Sequence, residues 1–195
     1  RKDVWDYDMG SQVTMMDMPT PDGQTVPAII VPTKRGQTFV LDRRTGKSIL
    51  PVEERPAPAG NVPGDTRAPT QPWSVGMPAL RMPELQEKDM WGMSPLDQLY
   101  CRIKFRSAHY VGEFTPPSLD KPWIMYPGNN GGSDWGSMAY DPETGILIAN
   151  WNASPMYAQL ITRRKADSLK LMPIDAVHYK PGAGASAEGN GPMEG

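Results

Sequence analysis

The feature that most constrains this chain is a short unit that occurs twice, an apolar run followed by an Asp-x-x-Thr-Gly turn and a return. The first copy is Ala28-Ile-Ile-Val-Pro-Thr-Lys-Arg-Gly-Gln-Thr-Phe-Val-Leu-Asp-Arg-Arg-Thr-Gly-Lys47. Here β-branched runs flank Lys34-Arg35-Gly36, and Asp42 to Gly46 makes a second tight turn. The other copy is Met138-Ala-Tyr-Asp-Pro-Glu-Thr-Gly-Ile-Leu-Ile-Ala-Asn150, turning at Asp141 to Gly145. Gly supplies the positive φ such a turn needs, and the Asp carboxylate bonds the turn backbone. Both copies therefore read as strand, turn, strand, and the fold class as all-β. Recurring hairpins suit a β-propeller of four-stranded blades, roughly 40–50 residues each, although any antiparallel sheet can repeat a turn.

Composition agrees with short strands and many turns. The 195 residues include 22 Pro and 19 Gly, a load that interrupts long helices. Between the two copies, 51–83 is polar and Pro-rich and reads as an ordered surface loop. One helix is expected at 94–108. Leu96, Leu99, Tyr100 and Ile103 recur at helical spacing, with Ser94 as cap and Pro95 at the first helical position. Residues 181–195, rich in Gly and Ala, read as a flexible tail after a domain at 1–180. At the blade length above, the chain supplies about four blades, an open arc rather than a closed ring. It opens Arg1-Lys2-Asp3 with no apolar leader, so it is expected to be an internal piece of a longer protein.

Some function classes are disfavoured at once. The net charge is −2 with no basic run, which argues against nucleic acid as a partner. No stretch approaches the roughly 20 apolar residues that span a bilayer. Cys101 stands alone and reads as a small buried apolar residue, and His109 and His178 are too far apart in sequence to suggest a metal pair. Met residues, 13 in all, read as gap fillers, and Trp73, Trp91, Trp123 and Trp135 as packing between sheets. Gly131-Gly-Ser-Asp-Trp-Gly136 has neither a Walker lysine nor a following helix and reads as the lead-in to a strand.

The densest cluster of chemistry is Asp3-Val-Trp-Asp-Tyr-Asp8. In an extended segment, Asp6 and Asp8 share one face while Trp5 and Tyr7 take the other. Two carboxylates so spaced can bind a hard cation, or perturb one another so that one serves as a base. Taken alone, they read first as a solvated acidic edge over packed aromatics.

This cluster is followed in order by Phe39-Val-Leu-Asp-Arg-Arg-Thr-Gly46, Pro69-Thr-Gln-Pro72, Asp89-Met-Trp-Gly92, Asp97-Gln98, Phe114-Thr-Pro-Pro-Ser118, Tyr126-Pro-Gly-Asn129 and Asp134-Trp-Gly136. Taken together, the series resembles the membrane-bound, pyrroloquinoline-quinone-dependent glucose, quinate and shikimate dehydrogenases over residues 3 to about 160. The resemblance implies an eight-bladed β-propeller that oxidises a sugar or polyol, glucose-like and to the lactone, passing a hydride to the quinone and electrons on to ubiquinone. It implies a divalent cation, Ca or Mg, beside the quinone, with metal ligands it does not identify. It also implies the periplasmic face of a bacterial inner membrane, with membrane attachment through segments outside this chain.

By the same resemblance Asp6 is the base that takes the substrate hydroxyl proton, and Lys34 contacts the quinone oxygens. Asn150 matches a cofactor-contacting Asn, and Trp151 is placed to pack near the quinone. Taken alone, Lys34 reads as a hairpin-turn lysine, Asn150 as a strand end and Trp151 as a core or rim tryptophan. The chain departs from the family at Arg1-Lys2, where His-His is usual, and in a slightly longer loop at Asp22-Gly23. Tyr7 and the Gly-Gly-Ser-Asp segment lean towards the polyol and quinate branches. The alternatives are a quinate/shikimate or a soluble quinoprotein alcohol dehydrogenase, the latter commonly carrying Arg at the position of Lys34. A non-catalytic propeller scaffold would be expected to lack Asp6, Lys34 and Asn150 together.

Overall fold

A computed structural model describes residues 1–81, 83–169 and 187–192. Four antiparallel sheets are formed among the described residues. Strands β1 (Thr14–Pro19), β2 (Thr25–Pro32) and β3 (Thr38–Asp42) form a meander in that order. The Asp42–Gly46 turn then folds the chain back on β3 through a bridge from Leu41 to Ser48. Strands β4 (Val52–Pro56) and β5 (Thr70–Ser74) make a hairpin, as do β7 (Met138–Asp141) and β8 (Ile146–Ala149). The last sheet places β9 (Met156–Ile161) between β6 (Trp123–Met125) and β10 (Ala187–Pro192).

The two Asp-x-x-Thr-Gly turns form as the sequence predicts and share one chemistry. The amides of Gly46 and Gly145 donate to the Asp42 and Asp141 carbonyls at 2.8 and 2.9 Å. The Asp carboxylates accept from the amides of Arg44 and Glu143. Both glycines sit at φ near +70°, where a Cβ is costly.

Helix α1 (Pro95–Ser107) also starts where expected. The Ser94 hydroxyl accepts from the Asp97 amide, the Asp97 carboxylate returns the bond, and Pro95 opens the first turn. Its apolar stripe faces outward, however. Leu96, Leu99, Tyr100 and Ile103 are all more than half exposed, while Cys101 is buried on the opposite side.

Three other expectations are corrected. The sequence of 51–83 reads as loop, yet 52–56 and 70–74 pair as β4 and β5. Prolines are tolerated because this two-stranded ribbon needs few ladder donors, and the Arg55 guanidinium caps the face of Trp73 at 4.4 Å. Trp91 and Trp135 are 59% and 88% exposed and do not pack between sheets, whereas Trp123 is buried and Trp73 packs on the core. Within the expected tail, 187–192 pairs with β9 as β10, since ladder hydrogen bonds require backbone and not large side chains. The rest of that tail and His178 lie outside the described residues.

The core sits under the N-terminal segment. Trp5, Tyr7, Phe114, Trp123, Met125 and Met156 form its centre. Trp5 and Phe114 rings lie 5.0 Å apart, and the Trp5 indole donates to the Thr115 carbonyl at 2.8 Å. Truncating a tryptophan buried this way typically costs about 3–5 kcal/mol. This anchoring fixes where residues 3–8 run. Among the described residues, no helix is long and apolar enough to cross a membrane.

Candidate active site

The expected alternation along residues 5–8 is present, although the segment is not a regular strand. Trp5 and Tyr7 are buried, whereas the side chains of Asp6 and Asp8 are 66% and 59% exposed. Asp3 sets the local geometry. Its carboxylate accepts from the Trp5 and Asp6 amides at 3.0 and 3.1 Å, closing a turn in which Asp6 adopts φ +58°. Asp tolerates this left-handed conformation better than most residues, and such strain concentrates at functional sites.

Lys34 meets this segment from the β2–β3 turn. The Gly36 amide bonds the Thr33 carbonyl at 2.9 Å, and the Thr33 hydroxyl bonds the Gln37 carbonyl at 2.8 Å, so the turn is closed on itself. Its ammonium stands 3.1 Å from Asp6 Oδ2 and 2.6 Å from Asp8 Oδ1, with its own side chain only 12% exposed. Burial pulls the Lys34 ammonium down, but the hydrogen bonds it donates to Asp8 and Asp6 and their charges outweigh it, leaving the pKa above its ordinary value.

The loop at 131–136 packs against the other side of Lys34. The Gly132 amide donates to the Lys34 carbonyl at 2.6 Å, and the Asn152 amide to the Gly132 carbonyl at 2.9 Å. Gly131 has φ +76°, and a Cβ there would lie 2.7 Å from Lys34 Cγ, so this approach requires glycine. The Ser11 hydroxyl donates to the Asp134 carbonyl at 2.8 Å and joins the loop to the N-terminal segment. The segment is thus the lead-in to β7, as its sequence suggests, and it also braces the lysine.

Asp6 and Lys34 are therefore brought together, and Asp8 joins them. Asn150 ends β8 as expected, with its amide against Gly136 at the far end of the same loop. Trp151 follows, 41% exposed. Among the described residues, no hydrogen bond joins Asn150 or Trp151 to Asp6 or Lys34. The loop at 131–136 links this strand end to the pair, Gly136 lying against Asn150 and Gly132 bonding Lys34.

Behind the turn lies a buried charge network that sequence reasoning missed. Arg35 and Glu113 are 7% and 1% exposed in their side chains, with Nε 2.5 Å from Oε1. Arg81 bonds the other Glu113 oxygen and also Glu84. The Arg35 guanidinium also donates to the Pro72 carbonyl and lies 4.6 Å from the centre of the Phe114 ring. Burial pushes the Glu113 carboxyl up, against the pull of Arg35 and Arg81. The Tyr7 hydroxyl donates to the carbonyls of Pro127 and Glu113 at 2.7 and 3.3 Å. Nothing local in the sequence pairs Arg35 with a residue 78 positions away.

A cleft of about 370 Å³ opens beside this network, lined by Trp5, Tyr7, Asp8, Arg35, Phe39 and Phe114 among others. Among the described residues, no group of three or more His, Cys, Asp or Glu is placed to hold a metal ion. Chemically, the arrangement offers two solvent-facing carboxylates and one shielded ammonium within hydrogen-bond reach of both. It can accept a proton at the carboxylates and stabilise negative charge at the amine.

Comparison with known proteins completes the picture. The family described as PQQ, "Glucose/ethanol/alcohol dehydrogenase, beta-propeller domain", matches residues 1–190. The chain is 78% identical over 195 residues to a glycerol dehydrogenase large subunit of Gluconobacter thailandicus, covering 100% of this chain and 26% of that protein. It is 75% identical to the glycerol dehydrogenase large subunit of Gluconobacter oxydans (strain 621H), with the same coverage. A quinoprotein glucose dehydrogenase of Gluconobacter oxydans (strain 621H) is 44% identical over 167 residues, 86% of this chain and 20% of that protein. The chain thus spans about a quarter or less of the length of these curated relatives.

Proposed function

This chain belongs to the PQQ glucose/ethanol/alcohol dehydrogenase β-propeller family, and we infer from its site that it forms part of an enzyme oxidising a polyol hydroxyl. The observation that carries the reading is the Lys34 ammonium standing 3.1 Å from Asp6 and 2.6 Å from Asp8. An alcohol oxidation that delivers a hydride to a quinone needs a base at the hydroxyl and a cation at the quinone oxygen. This pair supplies both from residues far apart in sequence.

The residues present fit pyrroloquinoline quinone: a shielded ammonium suits its carbonyl oxygens, and open carboxylates beside it leave room for an alcohol. When bound, that group supplies the two-electron acceptor. Asp6 takes the proton of the substrate hydroxyl at its exposed carboxylate oxygen. Lys34 holds the quinone oxygen and offsets negative charge developing there. Asn150 and Trp151 are proposed to border the cofactor from the end of β8. A divalent cation, Ca or Mg, is proposed beside the quinone, held by ligands other than a cluster of the described His, Cys, Asp or Glu residues.

A polyol is favoured over glucose because the relatives at 78% and 75% identity are glycerol dehydrogenase large subunits. Oxidation of glucose to the lactone, or of quinate or shikimate, is the second reading, supported by the relative at 44% identity that is a glucose dehydrogenase. We further propose that the chain contributes about four blades to an eight-bladed propeller at the periplasmic face of a bacterial inner membrane. Ubiquinone would be the acceptor, and attachment would run through segments outside this chain. The test is a substrate panel on the full-length holoenzyme with an artificial electron acceptor. Linear polyols should show the highest kcat/KM, and a preference for glucose or quinate would replace the polyol assignment.

A further inference from the structure

Arg35 and Lys34 are adjacent, yet only Lys34 reaches the two carboxylates. Arg35 lines the same cleft as Asp8, and a guanidinium is the better bidentate partner for a carboxylate. Its Nε is instead held 2.5 Å from Glu113 Oε1, and a second guanidinium nitrogen is held 2.6 Å from the Pro72 carbonyl. The third, Nη2, is buried with no hydrogen-bond partner among the described residues. Arg35 is therefore a cation whose bonding is incomplete, buried in the wall of a cleft that contains Asp8. Both oxygens of Glu113 are occupied by arginine, and its carbonyl accepts from Tyr7, the residue between Asp6 and Asp8. One buried residue thus touches both segments that build the site.

We propose that Glu113 is a positioning residue that holds Arg35 away from Asp8, leaving the carboxylate pair to Lys34. With Glu113 neutral, Arg35 loses its charged partner and turns into the cleft to take Asp8, displacing the lysine. This rests on the functional reading of Lys34 above only for its effect on turnover; the geometric claim stands apart from it.

The experiment is amine footprinting of the full-length protein without substrate, comparing acylation of Lys34 with that of exposed Lys47 by mass spectrometry. Glu113→Gln should raise the Lys34 to Lys47 ratio by about tenfold, the scale of one lost charge-assisted hydrogen bond. Removing the competitor as well, in Glu113→Gln with Arg35→Met, should return the ratio to within about twofold of the unmodified protein, since Lys34 then regains Asp8 without a rival. A ratio unchanged in Glu113→Gln overturns the proposal. So does a ratio raised equally in single and double variants, which is the pattern of simple loosening. If the ratios behave as stated but turnover of Glu113→Gln is normal, positioning stands and the role given to Lys34 in the reaction falls.

Discussion

Lys34 and Asp8 meet at 2.6 Å, although they lie on a hairpin turn and on an irregular N-terminal segment. Neither element would fix such a contact alone. The turn is braced by Gly132 and the segment is pinned by Trp5 and Tyr7, so the ion pair is set by structure on both sides.

Asp6→Asn in the full-length enzyme should lower single-turnover quinone reduction by about 10²–10⁴-fold, the usual worth of a general base. Asn also tolerates the φ of +58° at this position, so backbone geometry and cofactor affinity should be retained. Stopped-flow absorbance of the bound quinone measures both. Reduction at the unmodified rate would assign the base elsewhere.

Lys34→Ala should weaken cofactor affinity by about 10–100-fold, as expected for a charged hydrogen bond removed from a shielded site, and depress kcat as well. Titration of the apoenzyme with quinone reads the first effect separately from the second. Unchanged affinity would remove Lys34 from the cofactor site.

Gly131→Ala should destabilise the protein by about 1–3 kcal/mol, because a Cβ at φ +76° would press on Lys34 Cγ and Cα at 2.7 and 2.9 Å. The urea midpoint should fall, and activity should fall with it through the displaced lysine. An unchanged midpoint would mean the loop can move away from Lys34 without cost.

The turn at Asp42 makes the fold acid-sensitive in a defined window. Hydrogen bonds from the Arg44 guanidinium and amide hold the Asp42 carboxyl at about 2, below its ordinary 3.8. A folded-state pKa below the unfolded one adds stability above the ordinary value, and that stability is lost as pH falls through about 2. The stability gap between the unmodified protein and Asp42→Asn should therefore narrow between about pH 5 and pH 2 in urea titrations. A gap that stays constant would show that ionised Asp42 does not support the turn.

Local chemistry was legible in the sequence; distant partners were not. The Ser94 cap and both Asp-x-x-Thr-Gly turns are closed by bonds spanning a few residues, and each forms as read. The alternation at 5–8 predicted which side chains are buried, although the segment itself turns at Asp6 where an extended run was expected. That Asp6 and Lys34 meet followed only from family resemblance. The 51–83 stretch was misread because β4 finds its partner across a long connection, and proline content signals loop before it signals edge strand. The stripe on α1 gave the helix its periodicity but not its orientation, which packing around Cys101 decides. Glu113 was invisible for the same reason: its meaning lies in Arg35 and Arg81, and neither is a sequence neighbour.

The alternation of Trp5 and Tyr7 inward with Asp6 and Asp8 outward makes chain length a functional quantity in its own right. Losing or gaining one residue between Val4 and Asp8 would exchange the two sets, driving carboxylates into the aromatic core and aromatic rings towards Lys34. A single substitution here acts on one side of the segment, the core or the site. An insertion or deletion would cost folding and chemistry in a single event.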